Sequence, residues 1–163
     1  KEPDVAATVA FAKKLEAAGA SLICVHARTR GGKSKVAACW PAVAAVARAV
    51  RVPVVGNGDV RTAADAASLI RATGCAAVMS AEPLLADPGL FGEGPRRDAA
   101  AEALAYLDLA VAHAAPISWA RAHVVALLHR PLADDAALAA AVRAAPDLEG
   151  LKAAVAGRDD AGP

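Results

Sequence analysis

Apolar and polar positions follow two rhythms along the first half of the chain. Over residues 5–18, Val5, Val9, Ala12 and Leu15 recur at helical spacing, with Lys13, Lys14 and Glu16 left for solvent. Gly19 is a natural residue to close that helix. Residues 20–25 are instead a short, nearly continuous apolar run, the mark of a strand buried on both faces of a parallel sheet. The alternation repeats twice. A helix is predicted over 41–50, with Pro41 in the tolerant first turn, and a strand over 52–56. A third helix spans 63–73, capped by Thr62 and closed by Gly74, before a third strand over 75–79. Strands alternating with helices on short connections imply parallel pairing with right-handed crossovers.

After Met79 the rhythm changes. Pro83, Pro88, Gly89, Gly92, Gly94 and Pro95 mark an irregular stretch over 83–95. Beyond it only helical patterns remain, over 97–114, 117–130, 134–144 and 147–156, and residues 157–163 read as a frayed tail. The fold class is therefore α/β. Three parallel βα units occupy residues 1–95, and a small all-helical domain occupies 96–163.

Composition narrows the class. Of 163 residues 48 are alanine, and aromatics are 3%, so most of the apolar fraction is methyl groups that favour helix. No apolar run reaches the ~18 residues of a spanning helix. At 163 residues the chain is too short for a complete eight-fold α/β barrel, which takes ~250. The start, Lys1-Glu2-Pro3-Asp4, lacks an initiator Met and a signal-peptide pattern, and the chain reads as a piece of something longer. Cys24, Cys39 and Cys75 show neither CxxC nor Cys/His ligand spacing. No metal site or disulfide framework is expected, and reduced thiols fit the cytoplasm or nucleus. Cys24, between Ile23 and Val25, reads as inert core. Net charge is +3 over residues 1–95 and −2 over 96–163, so bulk charge does not by itself predict a nucleic-acid partner.

Candidate chemistry sits where the strands end, because parallel α/β folds bind ligands at strand carboxyl ends. Those ends carry His26-Ala27-Arg28-Thr29-Arg30, then Asn57-Gly58-Asp59, then Ser80-Ala81-Glu82. Gly and Ala turns let backbone N–H groups approach a phosphate closely. Each part also has a plainer reading. Asn57-Gly58-Asp59 is a common turn, Arg28, Arg30, Lys33 and Lys35 fit a solvated loop, and Glu82 fits a helix start. In the acidic tail, Arg121 and His129 lie eight residues apart on the predicted helix 117–130, one candidate phosphate-facing stripe. Buried, hydrogen-bonded Arg121 and His123 are the alternative.

The combination is more specific than its parts. Residues 25–30, Val-His-Ala-Arg-Thr-Arg, resemble the HGRTR segment of the tRNA-dihydrouridine synthases. Residues 52–59, Val-Pro-Val-Val-Gly-Asn-Gly-Asp, resemble that family's IPVxxNGD strand. Val78-Met79-Ser80-Ala81-Glu82, with Leu84, Leu85, Asp87-Pro88 and Leu90-Phe91 following, resembles its VMxAEGLLxNPxLF run, the form of the eukaryotic class acting on D-loop uridines 16 and 17. Ile117-Ser118-Trp119-Ala120-Arg121-Ala122-His123 resembles a helix of the same class.

The resemblance implies the C-terminal part of an FMN-binding (β/α)8 barrel followed by a helical domain that grips tRNA. It implies reduction of the uridine C5–C6 bond, with NADPH or NADH as reductant. His26 would contact the flavin, Asn57, Gly58 and Asp59 would lie against the ribityl-phosphate, and Ser80, Ala81 and Glu82 would close the phosphate site. Arg28 and Arg30 would lie near the substrate-facing rim; Lys33 and Lys35, on the same loop at the strand-end mouth, and the Arg121 and His129 stripe are the other candidates to face tRNA. The family's proton-donating cysteine belongs to the first half of the barrel, and no cysteine here matches it. Ala27 and Pro83 stand where the family motifs carry Gly, and Pro83 removes one N–H donor. Another FMN- or phosphate-binding barrel oxidoreductase would share the middle motif but not the His26–Arg30 loop. A non-catalytic RNA-binding fragment is the reading of a different class.

Overall fold

Five helix starts among the described residues are set by side chains that accept the first free backbone N–H groups. A computed structural model describes residues 4–32, 36–92 and 98–157. The chain forms two units, residues 1–83 and 84–163. The boundary expected between 95 and 96, the side chains of Lys33 and Lys35, and the tail beyond Gly157 lie outside the described residues.

In the first unit Asp4 opens α1 (Val5–Ala17), accepting from the Ala7 N–H at 2.9 Å. β1 (Ile23–His26) leads to α2 (Trp40–Ala49), with Pro41 in its first turn. β2 (Val54–Asn57) leads to α3 (Ala63–Thr73), whose Thr62 cap accepts from the Asp65 N–H at 3.1 Å. β3 (Ala77–Met79) completes a sheet of order β1-β2-β3, parallel throughout. The α-β-α-β-α-β order read from the apolar rhythm is the observed one.

The register decides which face each side chain occupies. Ile23 pairs with Val54, and Val25 with Gly56, which in turn pairs with Val78. Ile23, Val25 and Val54 share a core with Val43, Val46, Leu69 and Cys75. Gly56 makes this packing possible. A Cβ there would lie 3.1 Å from Leu69 Cδ2, 3.2 Å from Cys75 Sγ and 3.3 Å from Val43 Cγ1. The opposite face carries Cys24, Val55 and Ala77 in one row and His26, Asn57 and Met79 in the next. Here the structure corrects an expectation: Cys24 is exposed, not core. Successive strand side chains point to opposite faces, so burying Ile23 and Val25 turns Cys24 to the other side.

Glu16 is a second correction. It does not simply face solvent: its carboxylate accepts from the backbone N–H groups of Arg51 and Val52, at 2.6 and 3.1 Å. One side chain of α1 thereby holds the approach to β2.

The second unit contains α5 (Ala99–Ala112), α6 (Ile117–Leu127), α7 (His129–Asp134), α8 (Ala136–Ala144) and α9 (Leu148–Ala156). Asp98, Asp135 and Asp147 cap α5, α8 and α9. Ala103, Leu107, Val124, Leu128, Val142, Leu151 and Val155 form its core. The helix predicted over 117–130 is in fact two. Pro131 has no N–H to offer and its ring crowds the carbonyl four residues back, so α6 ends at Leu127 and α7 takes Pro131 in its first turn. The irregular stretch after residue 82 also contains a short helix, α4 (Glu82–Ala86).

Charge-assisted hydrogen bonds to backbone contribute ~1.5–3 kcal/mol. Glu16→Ala is therefore expected to lower unfolding stability by about that amount, read from the denaturant midpoint, because two N–H donors lose their acceptor. An unchanged midpoint would remove this role.

Candidate functional site

Because His26, Asn57 and Met79 are register partners, the three strands end level with one another. At that edge lies an open cleft of about 410 Å³, lined by His26, Arg28, Asn57, Gly58, Ser80 and Ala81 among others. The sheet builds its floor by hydrogen bonding across the strand ends. The Asn57 amide donates to the Met79 carbonyl at 3.0 Å, and its Oδ1 meets His26 Nδ1. The Asn57 carbonyl accepts from the Ala27 N–H at 2.8 Å.

The Asn57-Gly58-Asp59 turn requires backbone that most residues avoid. Gly58 has φ +133 and Asp59 φ 57, and a Cβ on Gly58 would come within 2.9 Å of Ala38 Cβ. The turn is tied to the segment after β1. Asp59 accepts from the Arg28 guanidinium and, at 2.7 Å, from the Ala38 N–H. Arg28 Nε donates to the Val36 carbonyl at 2.5 Å, and Trp40 Nε1 to the Gly58 carbonyl at 3.1 Å. The Asp59 carboxylate thus neutralises Arg28 and orders this loop. Arg28, expected at a substrate-facing rim, has a side chain only 11% exposed.

The remaining candidates divide. Ser80 is half-buried and its hydroxyl donates to the Val60 carbonyl at 2.7 Å, which joins β3's end to the Asn57 turn. Ala81 and Glu82 are exposed on the rim, as is Arg30 on the loop after β1. Partial desolvation by its neighbours pushes the Cys24 thiol up from its ordinary value. The cleft also holds Arg61, 72% exposed and 3.8 Å from Asp59, a cation that no motif or periodicity singles out. Its neighbour Asp65 is held below the usual carboxylate range by the Thr62 hydroxyl first and then the Arg61 N–H. That lowering stabilises the start of α3 at neutral pH, and the contribution is lost as pH falls below 3.8 through the lowered value.

Arg121 and His129 do not form one stripe. Arg121, on α6, donates from Nε to the Val142 carbonyl at 3.1 Å and from Nη2 to the Ala145 carbonyl at 2.5 Å, closing the C-terminal end of α8. His129 is exposed at the first position of α7. His123 stacks on Tyr106, ring centroids 4.4 Å apart. Among the described residues no group of three or more His, Cys, Asp or Glu could hold a metal ion, and no helix is long and apolar enough to cross a membrane.

Fold and site together define a parallel α/β unit with a ligand cleft at its strand carboxyl ends, built from small residues, a histidine and arginines. Comparison with known proteins specifies the class. The family model for dihydrouridine synthase (Dus) matches residues 2–144, and the chain belongs to that family. It is 40% identical over 155 residues to a tRNA-dihydrouridine(16/17) synthase-like protein of Rattus norvegicus, covering 93% of this chain and 35% of the relative. A protein of the same description from Mus musculus is 38% identical, over 93% of this chain and 32% of the relative. A probable tRNA-dihydrouridine synthase of Rhodobacter capsulatus is 48% identical over 69 residues, 42% of this chain and 21% of the relative. The chain spans about a third of the length of the first two relatives.

Arg121→Ala should lower the melting temperature and leave the salt dependence of any RNA binding by the full-length protein unchanged. A salt slope reduced by roughly one unit would instead identify a phosphate contact.

Proposed function

We propose that this chain is the C-terminal part of an FMN-dependent enzyme that reduces uridine to 5,6-dihydrouridine in tRNA with NADPH or NADH. In this reading residues 1–95 are the last three βα units of a (β/α)8 barrel and residues 96–163 are a helical tRNA-binding domain. The observation that carries it is the strand-end cleft, with His26, Asn57, Gly58, Ser80 and Ala81 in one place in a member of the dihydrouridine synthase family. The barrel is supported by the sheet itself. Parallel sheets are covered on both faces, yet the face carrying Cys24, His26, Ala77 and Met79 is exposed among the described residues. Barrel strands from elsewhere in a longer protein would cover it.

The residues present fit a flavin phosphate. Ala81 puts little bulk between a ligand and the backbone, Gly58 lines the same cleft, and Arg61 offers an exposed guanidinium there. When bound, the flavin supplies hydride to the uracil C5–C6 bond. This chain's own residues bind and orient. His26 stands at the end of β1 with its ring held by Asn57. The Asn57 turn and Ser80 fix the two backbone segments that flank the phosphate. Arg28 and Asp59 keep the loop after β1 in place, and Arg30, Lys33 and Lys35 on that loop attract the tRNA backbone. The target uridine must leave its stack to reach such a mouth. The proton for the second ring carbon comes from a cysteine outside this chain. Arg121 braces the helical domain, and exposed His129 is the remaining tRNA-facing candidate there.

Ala81→Asp in the full-length protein tests the phosphate assignment without disturbing the Gly58 backbone. A like charge ~4 Å away costs about 1 kcal/mol in water and about 4 at a protein surface. Flavin affinity is expected to fall by one to three orders of magnitude; unchanged affinity, with folding intact, removes the assignment. For tRNA, replacing Arg30, Lys33 and Lys35 together with Gln should weaken binding and lower the salt slope by roughly one unit for each phosphate that is no longer neutralised. An unaltered slope would mean that this loop does not meet RNA.

A further inference from the structure

We propose that Asn57 is a positioning residue that fixes His26 with a proton on Nδ1, leaving Nε2 as the atom His26 offers to the cleft. The inference follows from donor and acceptor inventory. The Asn57 amide lies between a backbone carbonyl and an imidazole. On one side is the Met79 carbonyl, which can only accept, so the group 3.0 Å from it is the Asn57 NH₂. The amide orientation is thereby set, because a flipped amide would aim oxygen at oxygen. On the other side Oδ1, which can only accept, meets His26 Nδ1. That nitrogen must donate, so it carries the proton. The carbonyl that begins this sequence belongs to β3, the imidazole that ends it belongs to β1, and the parallel register holds all three level.

The consequence is chemical selectivity at one atom. Among the described residues Nε2 of His26 has no hydrogen-bond partner, and the ring is exposed at the cleft. In neutral His26 this nitrogen is an acceptor. It takes a hydrogen bond from an O–H or N–H of the ligand, and an anionic or carbonyl oxygen can occupy the place only after the ring gains a second proton. The assignment of that ligand atom rests on the flavin reading of the cleft. There it selects a hydroxyl or ring N–H of the flavin, and leaves the phosphate to the Gly58 and Ala81 segments and Arg61. Asn57 then acts through His26 by its side chain, while its backbone shapes the turn.

The test is a two-bond ¹H–¹⁵N correlation spectrum of histidine-labelled full-length protein, taken at a pH where the ring is neutral, with His26→Gln used to assign the signal. Protonated Nδ1 and unprotonated Nε2 are expected in the parent. The opposite tautomer overturns the inference without any variant having to fold. Asn57→Ala should release the ring to a mixture containing the Nε2–H form. It should also weaken flavin ~10-fold or more, the scale on which removing the partner that orients a ligating histidine acts. Asn57→Asp keeps an acceptor for Nδ1–H and should restore the tautomer. An unchanged tautomer in Asn57→Ala overturns the inference. If the tautomer responds as stated but neither Asn57→Ala nor His26→Gln alters flavin affinity, the positioning of His26 stands and the flavin reading of the cleft fails.

Discussion

Parallel register is the constraint from which the site follows. With His26, Asn57 and Met79 side by side, three strands deliver their next residues to one edge at the same height. A shift of one residue in either strand pair would send the alternating side chains to opposite faces. Cys24 and Val55 would then compete for the helix-covered side, and the Asn57 amide would lose either Met79 or His26. The register is protected on that covered side by Gly56, where Leu69, Cys75 and Val43 press so close that a side chain there would have to push them aside. A packing requirement between sheet and helices thus fixes a hydrogen-bonding requirement at the strand ends.

Charge at the cleft is arranged by a second, local constraint. Asp59 occupies left-handed backbone, and its carboxylate accepts from Arg28 and the Ala38 N–H. The charges of Asp59 and Arg28 offset each other in one interaction, and the loop after β1 is tied to the turn after β2. Arg61 is left as the exposed cation of the cleft. The strand ends therefore present backbone and small side chains together with the His26 imidazole, the exposed Arg61 guanidinium and the exposed Glu82 carboxylate.

Much of this is legible in the sequence, for reasons that differ by element. Helix caps and apolar rhythm are local, so the three strands and the helices between them can be found within a few residues. The break at Leu128 carries a local signal too, Pro131, which the helical periodicity of the flanking residues masks. Burial is harder to read. A continuous apolar run says that both faces avoid water, but Cys24 belongs to the face that the described residues leave uncovered. Glu16 cannot be placed from local pattern, since its partners Arg51 and Val52 are distant in sequence. The candidate site is legible as a set of strand ends. Its internal division is not: Asp59 lies near both Arg28 and Arg61, and only the fold shows that Arg28 is the one buried and hydrogen-bonded to it. Arg121 likewise reads as a surface cation and is structural, because its acceptors are the terminal carbonyls of a helix more than twenty residues on.

In the proposed function a flavin phosphate binds between the turn after β2 and the segment after β3, with His26 against the flavin. A crystal structure of the full-length protein with FMN is the decisive measurement. The phosphate is expected within hydrogen-bonding distance of backbone N–H groups of the Gly58 and Ala81 segments, and His26 Nε2 on a flavin hydroxyl or ring N–H. FMN bound with its phosphate elsewhere, or a cleft that stays empty at saturating FMN, would contradict it.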